Sequence, residues 1–249
     1  TNFGRVYVRK GYHIPEASRN ARGTNIVNII PTEQGEKVSA MMKGRGYEED
    51  SFLIFVTKKG TVKRMYQSAL KNIRSSGIRA LNLDDGDELI SVLSTDGGQN
   101  ILIATHDGLA ICFSENDIRP MGRDAVGVRG IKLNEGDWVV GGVCAVSGQM
   151  VLSVTENGYG KRTKAKDYKI QVRGGKGLLT YDKGKFKKTG PLIGAMVVDE
   201  DDEVLLINSD GIIIRVKACD ISMLGRATQG VKIMKVEENP KLITMAKVI

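Results

Sequence analysis

Five glycine-marked turns recur along the chain at nearly even spacing, and this periodicity restricts the fold more than any bulk property. The turns are "NFGRVYVRK", "KKGTVKRMY", "HDGLAICFS", "ENGYGKRTK" and "SDGIIIRVK", with glycines at Gly4, Gly60, Gly108, Gly158 and Gly211, separated by 56, 48, 50 and 53 residues. A second glycine follows each, at Gly23, Gly77, Gly127, Gly177 and Gly230, 19 residues later in four units and 17 in the other. Within a unit an apolar, β-branched run such as "SFLIFVT" meets the turn and a second strand leaves it. A link then leads to the second glycine, and two further strands follow, as in "IRALNL" and "ELISVLS", parted by the acidic turn "DDGD". The only helical signal is a short turn in the link, for example "QSALKNI". Four-stranded units of this size cannot seal a core alone, so the repeat predicts an all-β, propeller-like arrangement of radial blades in one domain spanning residues 1–249. Only Thr1, Asn2 and Phe3 precede Gly4, where the later turns each follow a full apolar strand. The expectation is a domain truncated at its N-terminus, with at least one further blade upstream.

Charge is placed rather than spread. The net charge is +8, yet residues 158–190 alone hold eleven Lys and Arg against two Asp, leaving −1 for the remaining chain. Residues 1–23 carry five cations against Glu16, while acids gather in "YEED", "DDGDE", "NEGD" and "DEDDE". A segregated basic surface suits a polyanion, and charge alone favours nucleic acid no more than it favours a solvated face. Arginine stands four residues before the second glycine at Arg19, Arg123, Arg173 and Arg226, with Arg74 three before Gly77 and Arg22 beside Gly23. Cations also recur beyond the first turn, at Arg9, Lys63, Arg64, Lys161, Arg162 and Arg215. One charge repeated at one structural position predicts a stripe around a rim. The stretch "QVRGGKG" adds glycines: Gly174, Gly175 and Gly177 could bring consecutive N–H groups to a phosphate, flanked by Arg173 and Lys176. Tyr159, Tyr168, Tyr181 and Phe186 lie at strand-like spacing that suits packing, which disfavours a base-stacking platform. Methionines such as Met41, Met42 and Met196 read as core filler.

Other chemistries find little support. Cys112, Cys144 and Cys219 lie far apart and the only histidines are His13 and His106, so neither a disulfide framework nor a zinc site is expected. No apolar run approaches twenty residues and the opening lacks a secretory h-region, which predicts a cytoplasmic protein without a membrane partner. No phosphate-binding GxxxxGK[ST] loop is present, and no nucleophile, base and orienting residue cluster at readable spacing.

The phrases "GRVYVRKGYHIPEASRNARGTNIVNIIPTEQGE", "TENGYGKRT" and "MGRDAVGVRGIKLNEGD" resemble the C-terminal domain family of the DNA gyrase A protein, part of a bacterial type IIA topoisomerase, across essentially the whole chain. The resemblance implies a six-bladed β-pinwheel whose neighbouring blades exchange strands, with five blades here and the first absent. It also implies a basic perimeter that wraps duplex DNA, working with the rest of the gyrase A protein and with the gyrase B protein, and with catalytic residues and cofactors outside this chain. The family's box, of the form Q-basic-R-G-G-K-G, belongs to the first blade. Here Gln171, Arg173, Gly174, Gly175, Lys176 and Gly177 match it, with Val172 in the second place, in what should be the fifth blade. Phosphate contact is carried over to these residues, but not the full wrapping role. Two other readings stand beside this one: the corresponding domain of topoisomerase IV, whose box is degenerate, and a propeller that scaffolds protein partners.

Overall fold

The computed structural model describes residues 1–18, 21–42, 51–146, 148–236 and 241–248. Its strands are short, and all their pairings with one another are antiparallel: β1 (Arg5–Val6), β2 (Phe52–Thr57), β3 (Thr61–Tyr66), β4 (Ile78–Arg79), β5 (Leu89–Thr95), β6 (Asn100–Thr105), β7 (Leu109–Ser114), β8 (Val128–Arg129) and β9 (Val139–Cys144). They continue as β10 (Met150–Thr155), β11 (Tyr159–Lys164), β12 (Leu178–Leu179), β13 (Leu192–Val198), β14 (Glu203–Asn208), β15 (Ile213–Lys217), β16 (Val231–Lys232) and β17 (Leu242–Lys247). One helical turn, α1 (Phe186–Thr189), precedes β13. The link "QSAL" is a single 3-10 turn, Gln67–Leu70.

Each hairpin closes the same way. The amide of Gly60 donates to Thr57 O, that of Gly108 to Thr105 O and that of Gly158 to Thr155 O. The threonine hydroxyl oxygen accepts a second bond from the first residue of the returning strand, as from Thr61 N to Thr57 Oγ1 at 3.1 Å. The strands assemble as β5-β2-β3-β8, β9-β6-β7-β12 and β13-β10-β11-β16, with a three-stranded β17-β14-β15 and a two-stranded β1-β4. Successive first members touch, β5 on β9, β9 on β13 and β13 on β17. They therefore form the inner wall, and the sheets radiate from it as propeller blades.

The outermost strand of a blade comes from the following unit. β4 joins β1, β8 joins β3, β12 joins β7 and β16 joins β11. The repeat alone assigns "IRALNL" to its own unit; the structure corrects this to exchange between neighbours, as the family resemblance implies. Exchange explains why the glycines come in pairs. The amides of Ala80, Gly130, Thr180 and Ile233 donate to the carbonyls of Gly4, Gly60, Gly108 and Gly158, so the first glycine of one unit meets the segment just past the second glycine of the next. A Cβ on Gly4 would lie 2.6 Å from Leu81 O, and Gly4 has φ +73°, so no other residue fits without moving the incoming chain.

Both faces of β2, β6 and β10 are buried because blades pack face to face, and alternate residues serve opposite neighbours, whereas β14 in the last sheet buries only alternate residues. Ile101 and Ile103 join Ile54, Val56 and Ile111 between the second and third blades. Leu102 and Ala104 join Ala110, Val151 and Tyr168 between the third and fourth. This is why "FLIFVT" and "NILIAT" read as unbroken apolar runs. Tyr168 and Tyr181 are buried, as packing predicts. Met196 packs against a core cluster, whereas Met41 and Met42 are exposed, which corrects their reading as filler.

Candidate nucleic-acid interface

The connectors that carry strands from one blade to the next are hydrogen-bonded in series along the rim. The side-chain amide of Asn82 donates to Asp124 O at 2.7 Å. The amide of Lys132 donates to Gly175 O at 2.8 Å and that of Asp182 to Thr228 O at 3.3 Å. Each donor lies just past one exchanged strand and each acceptor just before the next. Four connectors thus follow one another along a single arc, outside the strands they extend.

The arginine four residues before the second glycine stitches this arc. Arg173 Nη1 donates to Arg129 O at the end of the exchanged strand β8 and Arg173 Nε to Asp117 O. Arg226 Nη1 makes the corresponding bond to Leu179 O at 2.8 Å. Both side chains are half-buried, so a backbone carbonyl takes part of each guanidinium and the remainder faces outward. Arg74 and Arg123 are exposed, as are Arg22 and Lys176. Arg19 lies outside the described residues.

Three exposed cations absent from the sequence-based set occupy an equally regular place. The second residue of the exchanged strand points outward in β4, β8, β12 and β16, and it is Arg79, Arg129, Leu179 and Lys232. The signal was a basic residue two positions beyond the second glycine. It carries meaning only once that dipeptide is known to be a perimeter strand.

Four of the expected contacts are corrected. Lys63 and Lys161 are 0% exposed, Arg64 5% and Arg162 7%, so none can reach a phosphate from the folded domain. They stand three and four residues beyond the first turn, on hairpin strands that the next connector covers. Lys63 Nζ donates to Ala80 O at 2.7 Å, Arg123 O at 2.7 Å and Ala125 O at 3.0 Å. Lys161 Nζ donates to the carbonyls of Gly225, Arg226 and Thr228 and to Thr228 Oγ1. Burial lowers both ammonium groups, Lys63 to about 8, with Asp124 opposing, and Lys161 to about 7, with Arg226 adding to the effect and Asp182 opposing it. Arg64 pairs with the fully buried Glu115 at 3.3 Å beneath the Phe52 ring. Arg162 donates to Ile221 O and Cys219 O. Arg215 is exposed on β15 and ion-paired with Glu203.

The glycine-rich stretch is also more committed than its composition implies. Gly174 has φ +84°, a conformation no non-glycine residue adopts among the described residues, and its amide donates to Gly130 O. The amide of Gln171 donates to Cys112 O. The Gly174 amide is thereby withdrawn from the anticipated phosphate nest, and the Gln171 amide is likewise engaged within the fold. Gly177 lies against the Ala110 carbonyl, where any Cβ would collide. The cations the stretch offers outward are Lys176 and the free part of Arg173, beside the exposed Val172.

Radial sheets, strands exchanged between neighbours and a cation-bearing outer arc define a strand-exchanging β-propeller with a basic rim. The family described as "DNA gyrase C-terminal domain, beta-propeller" matches residues 1–43, 51–96, 99–145, 149–199 and 202–249, and the chain belongs to that family. It is 52% identical over 248 residues to the DNA gyrase A protein of Clostridium acetobutylicum, covering 100% of this chain and 30% of that protein. Against the DNA gyrase A protein of Mycolicibacterium smegmatis, identity is 38% over 251 residues, 99% of this chain and 29% of the relative. The chain therefore spans about a third of the length of these relatives. A DNA gyrase A C-terminal domain structure superposes with TM-score 0.86 at 28% identity, covering 100% of this chain and 80% of that one. The C-terminal domain of DNA topoisomerase IV gives TM-score 0.89 at 27% identity, covering 99% and 77%. Among the described residues no helix is long and apolar enough to cross a membrane.

Proposed function

We propose that this domain binds duplex DNA without sequence preference and bends it around the connector arc, inside a bacterial gyrase. There it presents the wrapped segment to the cleavage core formed by the rest of the gyrase A protein with the gyrase B protein, and so biases supercoiling toward the negative sense. In this reading the domain itself is not catalytic and uses no cofactor. The observation that carries it is the series of hydrogen-bonded connectors whose outward positions are Arg74, Arg79, Arg123, Arg129, Lys176 and Lys232. Cations at a repeated place on a curved edge contact phosphates, which look alike whatever the base sequence. Bending 20–30 base pairs requires about 1–6 kcal/mol by elastic estimates, and counterion release from several neutralised phosphates offsets it.

The 52% identity to a gyrase A protein favours gyrase over topoisomerase IV, since the fold matches both about equally. The experiment is a salt titration of binding to unrelated duplexes. The expected slope of log K against log salt is about −0.9 for each phosphate neutralised. A slope near zero, or binding that survives high salt, would falsify DNA wrapping and support a protein scaffold instead.

A further inference from the structure

At the turn between β6 and β7, His106 and Asp107, with Asp137 just before β9, bring one ligand atom each to within 4.8 Å of one another. Two of these groups lack a hydrogen-bonding partner at a buried atom: His106 Nδ1 and Asp137 Oδ2. Asp137 is only 9% exposed, and its other oxygen is fully used, accepting from the amides of Asp107 and Trp138 at 2.9 Å each. A buried carboxylate oxygen and a buried imidazole nitrogen in one cluster, both without a hydrogen-bonding partner, are costly unless something pairs with them.

The repeat supplies a control. At the same place in the second unit stand Lys58, Lys59 and Asp87, and Asp87 Oδ1 caps the turn identically, accepting from Lys59 N and Glu88 N. Two lysines there balance the carboxylates. In the third unit the positions of both lysines are taken by His106 and Asp107, and Glu156 adds another carboxylate 3.9 Å from His106 Nε2. Lys183 is paired with the outer oxygen of Asp107, Oδ2, while Oδ1 faces His106 Nδ1 at 3.6 Å. With a neutral imidazole the cluster carries a surplus of two negative charges.

We infer that His106, Asp107 and Asp137 form a binding site for one divalent transition-metal ion. Nδ1 of His106, Oδ1 of Asp107 and Oδ2 of Asp137 are the ligands, and solvent completes the coordination. One imidazole with two carboxylates suits zinc or manganese better than magnesium or a thiolate-seeking ion. The surroundings fit a metal site's outer shell. Glu156 faces Nε2, favouring the tautomer that leaves the lone pair on Nδ1, and Lys183 orients Asp107 from its far oxygen. Zinc–ligand distances of about 2.0–2.2 Å require the three side chains to close inward slightly. Trp138, the chain's single tryptophan, stacks on His106 with ring centroids 3.7 Å apart.

That stacking provides the readout. Zinc chloride titrated into the chelator-stripped domain is expected to change Trp138 fluorescence with saturation at one equivalent, confirmed by calorimetry, and to raise the melting temperature. His106→Phe keeps a ring beneath Trp138 but removes Nδ1. Asp137→Asn keeps the turn-capping oxygen but replaces Oδ2. Each is expected to weaken zinc binding at least about tenfold while remaining folded, whereas His13→Ala leaves it unchanged. Absence of saturable binding at tens of micromolar zinc, or unchanged binding in both folded variants, overturns the inference. In that case the cluster is a histidine held between carboxylates.

Discussion

At three successive blade junctions a connector crosses the second strand of the preceding hairpin, and the residue it meets differs. β3 and β11 present Lys63 and Lys161, whereas β7 presents Ile111 at the same distance from its turn glycine. At the two lysine junctions a buried ammonium gathers connector carbonyls, those of Arg123 and Ala125 in one case and of Gly225, Arg226 and Thr228 in the other. At the isoleucine junction the connector is the glycine-rich stretch 171–177. Gly175 packs over Ile111, with a Cβ there only 3.7 Å from Ile111 Cδ1, and Gly174 and Arg173 tie the loop to Gly130 and Arg129 instead. The same position in the repeat therefore does opposite work. Two units use a cation inside as a strut, and one uses an apolar contact and leaves its cations outside. A count of basic residues in a unit does not measure its surface charge.

The strongest way to break this comparison is Lys161→Ala. Three carbonyls and a hydroxyl would lose their donor in a buried site, and destabilisation of about 3 kcal/mol is expected by urea unfolding. The salt slope of DNA binding should stay unchanged while the domain remains folded. A slope that falls with stability intact would put Lys161 on the DNA side after all. Next in size is Gly177→Ala, which places a methyl group against the Ala110 carbonyl at φ +78°. A loss of about 2 kcal/mol follows from the strained backbone and the collision. If stability is unaffected, the glycine is not needed for the crossing.

A smaller effect comes from pH. Lys161 is lowered to about 7 in the folded chain, mainly by burial, from an ordinary value of 10.5. Between those values the unfolded chain binds more protons than the folded one, so stability should rise with pH from 7 to 9, by on the order of 1 kcal/mol. Lys161→Met should remove the part of this rise below pH 8 and leave the part above it to which Lys63, lowered to about 8, contributes; an unaltered pH profile in the variant would assign the slope elsewhere. The smallest change in stability, within about 0.5 kcal/mol, is expected for Lys176→Ala or Arg129→Ala. Each should nevertheless reduce the magnitude of the salt slope by about 1 and weaken binding to unrelated duplexes alike. Arg215→Ala, on β15 and paired with Glu203, should leave the slope nearly intact.

Much of the fold was legible because backbone requirements leave local marks. Turn glycines with positive φ, and apolar runs buried on two faces in the second to fourth blades, follow from contacts that recur from blade to blade. The candidate interface was only half legible. Arg74, Arg123, Arg173, Lys176 and Arg226 lie on the connectors as their spacing suggested, but Arg79, Arg129 and Lys232 were missed because a two-residue strand has no periodicity to read. The His106 cluster left no motif either, since Asp137 stands just before the next strand of the sheet and its two companions in the turn before.

By itself the sequence determined an all-β repeat, its period and, Gly23 excepted, the places where a turn or crossing requires glycine, since steric limits on a backbone depend on neighbours a few residues away or on one recurring crossing. Tertiary structure alone decided which sheet each short strand completes and which cations meet solvent. A lysine carries its charge wherever it is, but Lys63 and Lys161 are hidden by chain that arrives 60 and more residues later. Nothing local to "TVKRMY" or "YGKRTK" encodes that cover.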